Sequence, residues 1–353
     1  MPNHELLNYI RKELERGVSE KDLRIALDRI GWNEDEIEEA FKINGSKGTG
    51  VENGGERYAI ETRNLTKYYG KARGVKDLNL RIKEGEIFGF LGPNGAGKTT
   101  TIRLLLHLIN PTSGEAYIFN TDVKEDYPYV LSNIGYLAGD INLYDKYTGR
   151  QLLDFASQFY NNSKEYKENL INRLECNMDT PFKNLSRGNR QKIGILLALF
   201  YKPRLVILDE PTSGLDPLTQ NELYDILLDL KRDGITIFFS SHNLPEVERI
   251  CDRIGIIRDG EIVNVETIKE LRAHRRKIVE IYFNGEYLEV PFMQLHGIEI
   301  IEDGKDYVRM YVKSATLGPL LKLLTHYDIK DINISFPDLE NVFMKYYGDT
   351  QHG

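Results

Sequence analysis

Apolar residues along the chain follow two different periods, and the change of period divides the chain into regions. Over residues 3–43 they recur every three to four positions, as Leu6 and Ile10 do, which is the spacing of one helical face. This pattern predicts three short amphipathic helices and hence a helical accessory module over residues 1–44. A plain mini-bundle with Trp32 in its core and a small docking module both fit this region, so its role stays open.

A glycine-rich segment follows and separates that module from the rest of the chain. Residues 45–56 have the composition of a flexible linker. Over residues 57–270, short apolar runs alternate with helical patterns. The runs Ile87–Leu91, Leu205–Leu208 and Ile235–Phe239 are almost entirely apolar, which is typical of buried strands in a mainly parallel sheet. The alternation predicts an α/β domain.

Two stretches depart from this alternation. Over about residues 140–190 the apolar strands disappear, and Thr148 with Gln151 resembles a capping box at the start of a helix, so we predict an inserted helical subdomain. Over residues 271–353 strand and helix patterns return with one polar face, which predicts a small α+β accessory domain. Its predicted strands and helices are Ile278–Phe283, Tyr307–Val312, Leu317–Tyr327 and Leu339–Phe343.

Composition is that of an ordinary soluble protein and argues against some functions. The 353 residues, 41% hydrophobic and 28% charged, are enough for two or three domains. The net charge of −8 argues against nucleic-acid binding, which usually requires a basic excess. The longest uncharged apolar run, Ile193–Tyr201, is about half the ~20 residues of a membrane-spanning helix, so another chain must supply any membrane part. Cys176 and Cys251 match no metal-ligand spacing, which fits a reducing compartment.

Residues Gly92–Thr99 match the pattern G-x-x-x-x-G-K-[ST] of a phosphate-binding loop. Glycines let backbone N–H groups surround phosphate oxygens, and the start of the following helix favours the same anion. Lys98 can reach the β- and γ-phosphates, and the Thr99 hydroxyl can ligate Mg²⁺. The chain is therefore predicted to bind ATP or GTP together with Mg²⁺. The candidate nucleotide-binding residues here are Gly92, Pro93, Asn94, Gly95, Ala96, Gly97, Lys98, Thr99 and Thr100.

Two acidic residues end the predicted strand Leu205–Leu208. Asp209, at the carboxyl end of a buried strand, is suited to hold Mg²⁺. Glu210 is then placed to activate an attacking water as a general base. Two acids that only cap a strand are the alternative, but a phosphate loop in the same chain favours the catalytic interpretation.

The order of the motifs over about residues 57–265 resembles that of the ABC (ATP-binding cassette) ATPases. The segment Leu185–Gln191 resembles the L-S-G-G-Q signature of that family, and it lies between the phosphate loop and the Asp–Glu strand. Ser213–Asp216 and His242 follow in the family's order. The resemblance implies an α/β P-loop NTPase fold of the ABC type, an ATPase activity, and a dimer with two shared ATP sites.

The resemblance also implies roles for single residues. Tyr69 would stack on adenine, with Tyr68 as the alternative. Ser186 and Gly188, at the start of the signature helix, would contact the γ-phosphate held by a second subunit, and Asp216 would lie in the loop that crosses the dimer interface.

Three residues are predicted to be catalytic. Lys98 and Glu210 act as described above. His242 matches the switch histidine of the family, which would bond the γ-phosphate and help to hold Glu210.

Two departures from the family pattern stand out. A glutamine that contacts Mg²⁺ and water in the family is replaced by Gly139, and Asp140 is a hypothetical substitute. In the signature, Arg187 replaces the first glycine and Asn189 the glutamine. Arg187 either adds charge near phosphate or is simply solvated.

The departures and the ending Pro337–Phe343 resemble the drug- and antibiotic-exporter branch of the family. This implies an exporter ATPase that is cytoplasmic and peripheral on the inner face of the cell membrane. Its partners would be permease subunits in a separate chain and a second ATPase subunit, identical or a sister, and no nucleic acid. A soluble regulatory ABC ATPase acting on ribosomes or nucleic acid is the alternative. A nucleotide-sensing scaffold with little catalysis is a third hypothesis.

Overall fold

The structure is a computed structural model, and the part of the chain that it describes lies mostly within residues 57–335. Gaps in that range fall at residues 126, 161–162, 275, 286–291 and 293. In the N-terminal region the described residues are 6, 9–10, 20–30, 32–33, 36–38 and 40–41. Within all of these residues, no helix combines the length and apolar composition that crossing a membrane requires.

The strands of the described residues are numbered in chain order. They are β1 (Tyr58–Tyr69), β2 (Ala72–Lys83), β3 (Ile87–Leu91), β4 (Ser113–Ile118), β5 (Thr121–Asp122), β6 (Ile134–Leu137), β7 (Leu205–Asp209), β8 (Thr236–Ser241), β9 (Arg253–Arg258), β10 (Glu261–Thr267), β11 (Arg276–Phe283), β12 (Ile298–Asp303), β13 (Tyr307–Lys313) and β14 (Ile329–Ser335).

The α-helices are numbered in the same way. They are α1 (Glu20–Ile30), α2 (Lys98–Leu105), α3 (Tyr127–Ser132), α4 (Gly149–Ala156), α5 (Lys164–Arg173), α6 (Arg187–Leu199), α7 (Pro217–Arg232), α8 (Leu244–Ile250), α9 (Ile268–His274) and α10 (Leu317–Leu324).

The N-terminal region contains α1 and a small apolar cluster. Asn33 and Glu36 make the reciprocal bonds of a capping box, in which each side chain accepts from the other residue's backbone N–H. Trp32 packs against the cluster rather than lying fully inside it. The linker predicted at residues 45–56 lies outside the described residues, and the domain boundaries stay predictions. The buried members of the cluster are Leu6, Ile10, Leu23, Leu27, Ile37, Ala40 and Phe41.

A six-stranded sheet in the order β10-β9-β3-β8-β7-β6 forms the centre of the cassette. Its strands β9, β3, β8, β7 and β6 are parallel, and β10 is an antiparallel edge. Every residue of β3, β7 and β8 is buried, which confirms the expectation drawn from their apolar runs. The carboxyl ends of β3, β7 and β8 therefore lie side by side at one edge of this sheet.

A second sheet, in the antiparallel order β2-β1-β4-β5, packs beside the first. Its side chains contribute Ile60, Val75 and Ile118 to the same core as Phe88 and Phe90 of β3. These strands were not predicted from the sequence. Their buried and exposed residues do not alternate regularly, because the pairing of β1 with β2 contains several register shifts.

Between β6 and β7 the chain is helical, as predicted for the inserted subdomain. Helix α4 begins at a complete capping box, in which Thr148 and Gln151 bond each other's backbone. Helix α5 is joined to α7 by Arg173, whose guanidinium contacts Glu222 and lies 2.9 Å from Oδ2 of Asp229.

The C-terminal region forms a third, antiparallel sheet in the order β12-β13-β11-β14. Helix α10 connects β13 to β14, and Phe292, between β11 and β12, is also helical. This order is that of a split βαβ arrangement. The helix predicted from Leu317 ends at Leu324 rather than Tyr327, and the predicted helix Leu339–Phe343 lies outside the described residues.

Phe238 of β8 tests how far packing of the central sheet stabilises the cassette. Its fully buried ring lies 6.2 Å from the ring of Phe88 and 5.3 Å from that of Phe90, centroid to centroid. We expect Phe238→Ala to lower the free energy of unfolding by about 3–5 kcal/mol, because the cavity cannot close fully. The measurement is chemical denaturation followed by circular dichroism. Phe159→Ala, at a 69% exposed ring, is the control; equal effects of the two substitutions would contradict this role.

Candidate nucleotide-binding site

The loop between β3 and α2 has the backbone shape of a phosphate cradle. Gly95 and Gly97 adopt φ angles of +80° and +110°, and Gly97 immediately precedes α2. A Cβ atom on Gly97 would lie 2.8 Å from Cγ1 of Val75 and 2.9 Å from the carbonyl oxygen of Gly74. Glycine is therefore required here for both conformation and space. Backbone N–H groups of such a loop can point inward at an anion.

Lys98 lies across this loop with a nearly buried side chain. Its Nζ atom donates to the carbonyl oxygens of Gly92, at 2.7 Å, and Pro93, at 3.2 Å. Nζ also lies 3.1 Å from Oε1 of Glu210. A buried ammonium group needs anionic or polar partners, so this position suits the binding of phosphate.

Asp209 joins the loop to the end of β7. Its Oδ2 atom accepts from the Thr99 hydroxyl at 2.8 Å, and its Oδ1 atom accepts from the Ser240 hydroxyl at 2.7 Å. A Mg²⁺ ion that also binds substrate phosphates is typically held by one or two oxygen ligands from the protein. A threonine hydroxyl beside a buried carboxylate provides such ligands. Thr99 and Asp209 thus fit the metal for which they were predicted.

Glu210 and His242 meet at the same edge of the sheet. Nδ1 of His242 lies 2.6 Å from Oε2 of Glu210. The backbone of Glu210 is left-handed, with a φ of +51°, and its N–H bonds to Ser240. A non-glycine residue in this conformation is strained and is held there by its surroundings. With this backbone conformation, the Glu210 side chain contacts both Lys98 and His242.

Ser240 is a residue that sequence analysis missed. It pairs directly with Asp209 in the parallel register of β7 and β8, so its hydroxyl can orient the carboxylate. The sequence does contain a sign of this role, because Ser240 is a polar residue that directly follows the apolar run Ile235–Phe239 and lies just before His242.

Tyr69, one of the two candidates for stacking on adenine, lies near the start of the helix that follows the phosphate loop. At Gly74, a Cβ atom would lie 2.9 Å from Cε2 of Tyr69 and 3.2 Å from Cγ2 of Thr100, so the Tyr69 ring is beside the start of α2. Tyr69 is 47% exposed, and Nζ of Lys67 lies over its ring at 5.4 Å from the centroid. Tyr68 is 37% exposed, and its backbone N–H bonds to the Thr112 hydroxyl, so both tyrosines stay candidates for stacking.

The signature residues pack against the loop that follows Glu210. Ser186 caps α6 by accepting from the Asn189 N–H at 3.2 Å. A Cβ atom on Gly188 would lie 2.8 Å from the Gly214 carbonyl oxygen, so the two segments are in close contact. Nη2 of Arg187 donates to the Ser213 hydroxyl at 2.7 Å, which shows that Arg187 is not simply solvated.

Asp216 caps the next helix, α7. Its carboxylate accepts from the N–H groups of Leu218 and Thr219 and from the Thr219 hydroxyl. These bonds, led by the one to the Thr219 hydroxyl, lower the pKa of Asp216 below its ordinary value. The cap fixes the end of the loop that begins after Glu210.

Gly139 stands where the resembled family has a glutamine, and its surroundings are well defined. A Cβ atom on Gly139 would lie 3.3 Å from Oδ2 of Asp209, so Gly139 is directly beside the proposed metal ligand. Asp140 is exposed, and its Oδ2 atom lies 3.4 Å from Nδ2 of Asn142. Substitution of the glutamine by Asp140 stays a hypothesis.

Comparison with known proteins identifies the family. Residues 75–213 match the ABC transporter family. The bacitracin transport ATP-binding protein BcrA of Bacillus licheniformis is 36% identical over 302 residues, which cover 82% of this chain and 97% of that protein. The chain belongs to the ABC transporter ATP-binding proteins. A relative in Escherichia coli is described as a probable multidrug ABC transporter ATP-binding protein, YbhF. It is 34% identical over 69% of this ABC protein, a match that spans 42% of YbhF.

Solved structures agree with this assignment. The dimeric structure of MJ0796, a bacterial ABC transporter cassette, is 28% identical with a TM-score of 0.55, covering 59% of this chain and 98% of that one. A post-hydrolysis form of MJ0796 bound to ADP and Pi matches with the same TM-score at 26% identity and the same coverage of both chains. The predicted α/β fold of the ABC type, the ATPase assignment and the resemblance to the drug-exporter branch are confirmed. The roles of the single site residues stay predictions.

Tyr69 provides a test of base stacking at this site. We expect Tyr69→Ala to weaken ATP binding by roughly 5- to 150-fold, because stacking of a base on an aromatic ring contributes about 1–3 kcal/mol. Tyr69→Trp should restore binding, and Tyr68→Ala is the matched control. Titration with a fluorescent ATP analogue measures Kd. A larger loss for Tyr68→Ala than for Tyr69→Ala would assign the stacking role to Tyr68.

Proposed function

We propose that this ABC protein is the ATP-hydrolysing subunit of an exporter, that it dimerises on ATP, and that it drives a separate membrane permease. The observation that carries the proposal is the convergence of Lys98, Glu210 and His242 at the phosphate loop. A chain that only sensed nucleotide would not need a carboxylate and an imidazole in contact at this position.

Each group of the site has a part in this proposal. The loop backbone and Lys98 bind the phosphates, and Tyr69 binds adenine. Thr99 and Asp209 would hold Mg²⁺, which would neutralise charge on the phosphates. Glu210 accepts a proton from the attacking water at a carboxylate oxygen. Nδ1 of His242 lies 2.6 Å from that carboxylate. With both ring nitrogens protonated, His242 would donate from Nδ1 to Glu210 and from Nε2 toward the γ-phosphate.

Dimerisation is supported by the start of the signature helix. Ser186 and Gly188 lie at the N-terminus of α6, a helix of 13 residues whose positive dipole end favours an anion. In the proposed dimer this end completes the ATP site of the other subunit. The structural relative MJ0796 is itself described as dimeric. A homodimer and a pair with a sister subunit are both compatible with one cassette per chain.

The transport role is supported by the relatives. Two of them are named for bacitracin transport and one for multidrug transport. We therefore propose a location on the inner face of the cell membrane through the permease, with the drug-like cargo selected by that permease. The net charge of −8 does not favour the alternative of a regulator acting on ribosomes or nucleic acid.

Glu210→Gln tests the catalytic role. Glutamine keeps the shape of the side chain but cannot accept the proton, so we expect turnover to fall by roughly 10²- to 10⁴-fold while ATP still binds. The ATP-bound dimer should then accumulate in size-exclusion chromatography. Lys98→Ala is the contrasting variant, which should lose both nucleotide binding and the dimer. Unaltered turnover in Glu210→Gln would remove Glu210 from the mechanism.

The partner is tested with the same variant. Tagged Glu210→Gln protein, purified with ATP from source-cell membranes in mild detergent, should bring down a polytopic membrane protein in near-equal amount. Mass spectrometry identifies it, and Lys98→Ala protein is the control that should retain less. Recovery of ribosomes or other soluble partners in place of a membrane protein would support the regulatory alternative.

A further inference from the structure

Glu246 lies in the first turn of helix α8. Its carboxylate bonds to residues next to Glu210 and to residues next to His242. Its Oε1 atom accepts from the Thr212 hydroxyl at 3.1 Å and from Nδ2 of Asn243 at 3.3 Å. Its Oε2 atom accepts from the Ser241 hydroxyl at 2.8 Å. One partly buried carboxylate thus receives hydrogen bonds from two separate segments.

These partners lie next to the residues of the proposed reaction. Thr212 is two positions after Glu210, and Ser241 and Asn243 flank His242 in the sequence. Thr212 and Ser241 are buried, so their hydroxyl groups need partners inside the protein. The Ser241 carbonyl oxygen also accepts from the N–H of Gly92, which links the same turn to the phosphate loop.

The bonds from the Glu210 N–H to Ser240 join the two segments at their bases, and the Glu246 carboxylate adds a second tie further along each turn. Glu210 has a strained backbone, and the His242 side chain is 58% exposed, with little packing around it. Hydrogen bonds to a carboxylate are shorter and stronger than those between neutral groups. A carboxylate that ties Thr212 to Ser241 and Asn243 therefore holds the two turns at a fixed separation.

We propose that Glu246 is a positioning residue that holds the His242 turn against the turn after Glu210 and so maintains their 2.6 Å contact. The inference rests on the proposed function, since it requires Glu210 and His242 to act in hydrolysis. Glu246 itself touches neither the phosphate loop nor the Glu210 carboxylate among its hydrogen bonds within the described residues.

A purely structural role for Glu246 is the competing explanation. Glu246 does not complete a capping box with Asn243, because its bond goes to the Asn243 side chain and not to the backbone N–H. If the carboxylate only stabilised α8, its removal would lower thermal stability and would act independently of His242.

The first experiment compares Glu246→Ala, Glu246→Gln and the control Glu248→Ala, a nearby glutamate on the same helix. For Glu246→Ala we expect kcat to fall about 10- to 100-fold, because small displacements of catalytic groups cost rates of this order. ATP-analogue Kd should stay within about twofold, since the phosphate loop is intact. Glu246→Gln keeps one acceptor oxygen and presents an NH₂ group from which a hydroxyl can accept, so it should recover part of kcat. Glu248→Ala should match the parent chain. A parallel rise in Kd, or no recovery by glutamine, would overturn the proposal.

The second experiment is a double-mutant cycle with His242→Ala. If Glu246 acts through His242, adding Glu246→Ala to His242→Ala should lower kcat little further, whereas independent effects would multiply. Multiplied effects would overturn the inference but leave the proposed ATPase mechanism intact. Unchanged kcat in His242→Ala alone would instead remove His242 from the proposed function, and this inference with it. Thermal unfolding of each variant shows whether the fold is retained.

Discussion

The parallel register of β3, β8 and β7 is the constraint on which the whole site depends. Ile207 pairs with Phe238 and Asp209 with Ser240, while Leu91 of β3 pairs with Ser241. Because side chains alternate along a strand, a slip of one residue would turn Asp209 away from Thr99 and Ser240. The fully buried faces of these strands prevent that slip, since it would also exchange every core residue for its neighbour. The apolar core thus aligns the polar residues at the carboxyl ends of these strands.

The buried positive charge of Lys98 is a second constraint on the site, because it needs polar and anionic partners. The Lys98 ammonium group is taken out of water, and two loop carbonyl oxygens and the Glu210 carboxylate compensate for that loss. Glu210 makes this contact from a left-handed backbone conformation directly after β7. The strain at Glu210 is therefore part of how the site is assembled, and the bonds from its N–H to Ser240 help to hold it.

Sequence patterns predicted the buried half of this fold better than the exposed half. β3, β7 and β8 each contain a run of buried apolar residues, so their positions and the acids or glycines at their carboxyl ends could be inferred. The strands β1 and β2 form a local hairpin, but they contain charged residues and several register shifts that blur the alternation of buried and exposed positions, and β1 also pairs with the more distant β4. The Glu210–His242 contact was expected from the resemblance to a family. The left-handed backbone of Glu210 and the bond from Arg187 to Ser213 were not, because both depend on a close approach that no local pattern encodes.

The loop from Pro211 to Asp216 follows Glu210 in the chain and contacts the signature helix α6. Gln191 of α6 donates to the Pro211 carbonyl oxygen at 2.9 Å, and Arg187 bonds Ser213 from the same helix. The loop has little freedom between these contacts, because Asp216 anchors its far end as the cap of α7. A displacement of the signature helix must therefore shift the loop or break several of these bonds. Since Glu210 immediately precedes the loop, these hydrogen bonds link the signature helix to the segment next to the Glu210 carboxylate through contacts only a few residues long.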